Sequence, residues 1–207
     1  ERGLTANDQV LDHPGGWYGA TMEEGVSDMN GPANGLGTPF RIQDTKYIRQ
    51  YPCCRINHGM LDSILGLMEE HQFDHRDVEC LEMVQSHGSV VMLYLEPQNE
   101  HQARFSALYN AAAALVEGNM GIGSFTPEKV NDPVIKETMG KVRINVRTRW
   151  QERPGDDQAG IPVTIRLKDG RILEHTTIMG QIRGTQKNPL GIDNIVNKFR
   201  ENAAFAL

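Results

Sequence analysis

The sequence predicts an α+β domain, a mostly antiparallel sheet with helices packed on it. Two stretches alternate apolar and polar residues at strand period. Val142, Ile144 and Val146 alternate with Lys141, Arg143, Asn145 and Arg147, and Val163, Ile165 and Leu167 with Thr164, Arg166 and Lys168. Lys168-Asp169-Gly170-Arg171 carries the Asp-Gly hairpin signature, with Ile172–Ile178 returning. Helical spacing marks three other segments, beginning at Asn57, Asn99 and Ile192.

Taken in order, residues 1–45 are rich in Gly, Pro, Asn and Asp and read as irregular connection, with a short strand at Phe40-Arg41-Ile42. A strand is expected around Lys46–Gln50. Asn57 is placed as the N-cap of a helix to about Gln72, whose apolar residues are Met60, Leu61, Ile64, Leu65 and Met68. Val78–Gln85 reads as a strand, and Val90–Leu95 is a second apolar run. From Asn99 a single helix is expected, with Phe105, Leu108, Tyr109, Ala112, Leu115 and Val116 on its apolar stripe. Its four consecutive alanines, Ala111–Ala114, would let another backbone approach closely. Gly118 and Gly121 end it. Thr126-Pro127 and Asp132-Pro133 are cap-plus-proline starts of two short helices. A final helix, Ile192–Ala206, places Ile195, Val196, Phe199 and Ala203 on one face.

Composition narrows the function. With 207 residues the chain can bury one substantial core. No apolar run approaches the roughly 18 residues of a membrane-spanning helix, and the first residues lack a secretory core. The net charge of −6 argues against general nucleic-acid binding. Three cysteines, two adjacent, make a poor disulfide framework and fit a reducing, cytoplasmic setting. Without an initiator Met, the chain reads as cut from something longer.

Tyr51-Pro52-Cys53-Cys54-Arg55-Ile56-Asn57-His58 holds the most chemistry. It sets a turn, two thiols, a cation and an imidazole at a helix start, where the dipole favours an anion. Arg49, Arg55 and His58 would suit a carboxylate, since Arg grips that group with two parallel bonds. The competing reading is solvated cations and a helix-start His. Cys54 at a positive helix start could carry a proton, or be a small packed residue. Cys53 and Cys80 read as packing residues. A metal held by Cys53, Cys54 and His58 would lack both zinc-module spacing and a fourth ligand, so none is expected. The remaining histidines, among them His13, His87, His101 and His175, show no partner spacing. Lys141, Arg143, Arg147, Arg166 and Lys168 would form a positive stripe if their strands paired.

The same motif resembles the MmgE/PrpD family, with Leu61-Asp62 following it. Further blocks agree in order: Ala103–Tyr109 into Glu117-Gly118; Phe125-Thr126-Pro127-Glu128 and Asp132-Pro133-Val134; Lys187-Asn188-Pro189-Leu190 and Lys198-Phe199. That family includes 2-methylcitrate dehydratase, cis-aconitate decarboxylase and iminodisuccinate epimerase. The resemblance covers nearly all of this chain but only the C-terminal half of a typical member. It implies residues 1–40 as a lead-in from a helical domain, 41–185 as a small lid-like domain, and 186–207 as a helix returning to the helical domain.

What the resemblance implies is a cofactor-independent lyase or isomerase acting on a small di- or tricarboxylate, with 2-methylcitrate-type dehydration favoured. A homodimer is expected, with no nucleic acid or membrane partner. The site would lie between the two domains, so this chain alone would be an incomplete enzyme. Tyr109, Cys54 and His58 are the candidate catalytic residues. Arg49, Arg55, Arg104 and Ser106 are the candidate substrate-binding residues. Cys54 stands where the decarboxylase branch looks to have a histidine, and Arg49 where many members have Lys. Tyr109 is in register with a pocket tyrosine, although its periodicity alone makes it a core aromatic. A non-catalytic carboxylate-binding or interaction module is the alternative.

Overall fold

The computed structural model describes residues 47–86, 89–147 and 160–206. The lead-in, the strand expected at 40–42, and the histidines at 13 and 87 lie outside them.

Four strands form one sheet: β1 (Val78–Ser86), β2 (Val142–Arg147), β3 (Gly160–Leu167) and β4 (Ile172–Ile178). Their spatial order is β2-β1-β3-β4. β1 runs parallel to β2, pairing Leu81 with Val142, and antiparallel to β3, pairing Leu81 with Ile165. The β3–β4 hairpin turns at Gly170, whose φ of 90° favours a residue without Cβ. The alternation sends Val163, Ile165 and Leu167 inward to join Leu81, Met83 and Val142 in the core. The expected basic stripe does not form as a continuous row. β1 separates β2 from β3 and sets Glu82 opposite Arg143 and Thr164, with Arg166 Nε 3.9 Å from the Glu82 carboxylate.

Helix α1 (His58–His71) packs on β3 and β4, burying Met60, Leu61, Ile64 and Leu67. The helix expected from Asn99 is two helices, α2 (Glu100–Arg104) and α3 (Ala107–Glu117). Ser106 breaks it. Its backbone is extended and its hydroxyl accepts from the Tyr109 N–H at 3.2 Å, a new N-cap. Asn110 Nδ2 ties the break together by donating to the carbonyls of Ala103 and Ser106. Ala111–Ala114 are all fully buried, and α3 packs against α1 and α5 (Pro133–Met139). Between them lies the single turn α4 (Pro127–Val130). Thr126 and Asp132 cap α4 and α5 as the sequence indicates. Val90–Met92 is one 3₁₀ turn that buries Val91, and Leu93 and Leu95 beyond it are exposed.

Around Lys46–Gln50 the expected strand reduces to one bridge, Tyr47 to Thr185. The Ile48 N–H donates to the Gly184 carbonyl at 2.9 Å, and the partner segment turns away at once. Gly184 has φ of 94°, and a Cβ there would lie 2.0 Å from the Ile48 carbonyl oxygen. Gly184→Ala is expected to destabilise the fold by more than about 2 kcal/mol, through backbone strain and the forced separation of these segments. Urea unfolding measures it.

Candidate functional site

The site grows from the turn that leads into α1. Cys54 N–H donates to the Arg104 carbonyl at 3.0 Å, and Asn57 N–H to the Cys54 carbonyl at 2.9 Å, winding Arg55–Asn57 into a 3₁₀ turn. Asn57 therefore has helical backbone (φ −76°, ψ −17°), and its side chain makes no capping bond. That corrects the N-cap expectation, because a capping side chain needs an extended backbone to reach back over the first turn. Asn57 is instead wholly buried.

His58 opens α1, also wholly buried. Two tyrosines meet its ring edge-on: Tyr51 at 5.2 Å between centroids and Tyr47 at 5.8 Å. The Arg55 guanidinium lies 4.8 Å from the Tyr47 ring centroid. From helix α6 (Ile192–Ala206), Lys198 Nζ donates to the Arg49 carbonyl. Burial pushes the His58 imidazole down to about 4, outweighing an opposing bond to the Cys53 carbonyl, and the charges of Arg49, Lys198 and Arg55 add smaller pushes in the same direction. The ring is neutral at physiological pH. Its Nε2 lies 3.4 Å from that carbonyl, which can only accept; with the proton there, Nδ1 keeps a free lone pair.

Polar atoms without partners concentrate on this short segment. Among the described residues, Tyr47 Oη, Gln50 Oε1, Arg55 Nε, both side-chain atoms of Asn57 and His58 Nδ1 are enclosed and unbonded. Arg104 Nε, on the neighbouring α2, is another. Enclosed polar groups are normally satisfied, since each bare one costs about 1–3 kcal/mol. None of Arg49, Arg55, Arg104 and Lys198 has a carboxylate within 4.0 Å among the described residues. Tyr47 Oη, Arg55 Nε, Asn57 Nδ2 and Arg104 Nε can donate to the oxygens of an anion, while Gln50 Oε1, Asn57 Oδ1 and His58 Nδ1 call for a donor.

Other sequence candidates fall around this centre. Cys54 is half-buried beside the Arg104 carbonyl. Cys53 is buried, and burial pushes its thiol far up. Arg104 lies over the Phe125 ring at 5.6 Å, and Tyr109 packs on the same ring at 5.9 Å. Tyr109 is fully enclosed, and its hydroxyl donates to the Ser124 carbonyl at 2.6 Å. Burial, with Glu117 and Asp132 nearby, holds that phenol protonated. Ser106 is buried as a helix cap. Tyr109 and Ser106 are thus committed within the core, while Arg49, Arg55 and His58 converge. Tyr47, Lys198 and the Asn57 amide were not expected at the site. Only a Tyr beside the motif and a Lys in a distant helix hinted at the first two. Among the described residues, no three of His, Cys, Asp and Glu could share a metal ion, and no helix is long and apolar enough to cross a membrane.

The MmgE/PrpD C-terminal domain family matches residues 51–207, from the tyrosine of the turn through α6. The chain belongs to the MmgE/PrpD family. Cis-aconitate decarboxylase of Mus musculus is 33% identical over 108 residues, 52% of this chain and 21% of that protein. Its Homo sapiens counterpart is 30% identical over 113 residues, 52% of this chain and 22% of that protein. The matched stretch spans about a fifth of these MmgE/PrpD relatives.

His58 makes stability depend on pH. Its folded pKa of about 4 lies below the ordinary 6.5, so between them the unfolded chain binds a proton that the folded one refuses. The contribution is complete above pH 6.5 and drains as pH falls towards 4, by about 3 kcal/mol in all. Urea midpoints across that range should show the slope, and His58→Gln should flatten it.

Proposed function

We propose that this chain supplies the cationic wall of a lyase site for a small di- or tricarboxylate, with a 2-methylcitrate-type dehydratase as the closest description. The observation that carries it is the group of Arg49, Arg55 and Lys198 around a neutral, buried His58 with unmet hydrogen-bonding capacity. The cations would hold carboxylate oxygens, supported by Arg104, and Asn57 would complete the shell.

In dehydration, a base takes the proton beside a carboxylate and the hydroxyl on the neighbouring carbon leaves with a second proton as water, forming the double bond. Fixed cations stabilise the negative charge that builds on the carboxylate. His58, with its unbonded Nδ1, would carry the proton. A bound polyanion cancels the repulsion from Arg49, Lys198 and Arg55, making the imidazole more basic once substrate is present. Cys54 is the second carrier. Tyr109, its hydroxyl held by Ser124, would act through packing beneath Arg104. No cofactor is needed for these steps.

The similarity to cis-aconitate decarboxylase favours a second reading, loss of carbon dioxide from a related acid. Cys54, where the decarboxylase branch looks to have histidine, supports dehydration. A helical domain from the same protein or a partner chain would complete the cleft. Phe199 and Ile192 of α6, 72% and 71% exposed, offer it an apolar face. A cytoplasmic homodimer, completed in this way, belongs to the same proposal.

Calorimetry with citrate tests the wall alone. Arg49→Ala and Arg55→Ala should each weaken binding about tenfold or more, near 1.4 kcal/mol, while Arg166→Ala on the sheet leaves it unchanged. Absence of heat with citrate would sink the proposal. In the full-length enzyme, water release with every carboxylate retained marks the dehydratase, and carbon dioxide release the decarboxylase. Binding without turnover there would mark a non-catalytic module.

A further inference from the structure

We infer that Asp62 is a positioning residue for this site: its carboxylate latches the Tyr51–Pro52 turn onto α1 and thereby fixes the imidazole of His58. The inference rests on the proposed function for what His58 does.

Asp62 lies four residues after His58, one turn along the same face of α1. Its side chain is only 10% exposed. Oδ1 accepts from the Tyr51 hydroxyl at 2.7 Å and Oδ2 from the Arg183 backbone N–H at 2.7 Å. Bonds to an ionised carboxylate are stronger and more directional than neutral ones. The Tyr51 phenol is buried beside this negative charge, which holds its proton in place as the donor. Pro52 restricts the backbone of Tyr51, so a hydroxyl pinned at one end leaves the ring little freedom. That ring is one of the two edges against His58.

Arg183 extends the latch to a third segment. The loop carrying it is closed by Gly184 N–H donating to the Asn188 carbonyl at 2.7 Å and by Ile48 N–H donating to the Gly184 carbonyl. Asp62 thus joins the stretch before the turn, α1, and the loop after β4, all around one imidazole. Leu61-Asp62 stands in the sequence motif, yet Asp62 touches none of the candidate substrate-binding groups directly.

Imidazole NMR of the histidine-labelled chain tests the latch, with Tyr51→Phe and Asp62→Asn. Tyr51→Phe removes only the hydroxyl. Asp62→Asn cannot accept from Tyr51 and Arg183 at once. In both, the His58 ring signals should move, and its titration midpoint should rise by at least one pH unit as water reaches the ring. The groups facing His58 otherwise stay in place: Tyr47, the Cys53 carbonyl, Arg49, Arg55 and Lys198. Citrate affinity should fall severalfold in parallel. A role confined to stability would lower the melting temperature and leave the His58 signals and midpoint where they were, and that result overturns the inference. Should Asp62→Asn not fold, Tyr51→Phe decides alone. If the unsubstituted chain binds no citrate, the proposed function fails while the His58 signals still judge the latch.

Discussion

The structure turns on keeping an uncharged imidazole buried under three cations. Burial does most to make protonation of His58 unfavourable, and each neighbouring charge adds to it. Such an arrangement is stable only while the ring stays neutral, and it leaves the cations searching for negative charge. The two needs are complementary. On the proposed function, an incoming polyanion would relieve the repulsion among Arg49, Arg55 and Lys198 and would restore basicity to the ring they help to suppress. Binding and readiness for proton transfer would thereby be linked through electrostatics.

The surrounding fold supports it with a closely packed apolar base. The alanines of α3 bring its backbone close to α1 and α5, so the helix layer is thin and firmly seated. α1, pressed on β3 and β4, delivers its first turn to the sheet's margin, where the stretch from Tyr47 to Tyr51 and the loop after β4 meet it. Tyr109 belongs to this foundation. Its hydroxyl spans from α3 to the Ser124 carbonyl, and its ring supports Phe125, on which Arg104 rests.

Much of the fold was legible because it is written in short-range periodicity. Strand alternation, the Asp169-Gly170 turn, the proline-started helices and the extent of α6 all follow from local rules. The misses came where one side chain overrode the pattern. Ser106 sits inside a helical stripe, but its hydroxyl offers the backbone a better end point than continuation. Asn57 looks like a cap, yet a preceding 3₁₀ turn had already set its backbone. In the site, Arg49, Arg55 and His58 were visible as a linear motif. Lys198 comes from α6 and Asp62 acts through Tyr51 and Arg183, and such long-range juxtapositions leave no local trace.

The position of β1 has a consequence for synthesis. Among the described residues it is the first strand of the sheet, yet both of its neighbours come later in the chain, and the parallel one arrives only after four helices. On the ribosome its two hydrogen-bonding edges must wait unpaired until β2 and β3 emerge. Folding is therefore governed by distant encounters and is intrinsically slow. Nascent chains held in this interval present a sticky ribbon to one another, so expression at lower temperature or with chaperones in excess favours recovery of the native molecule.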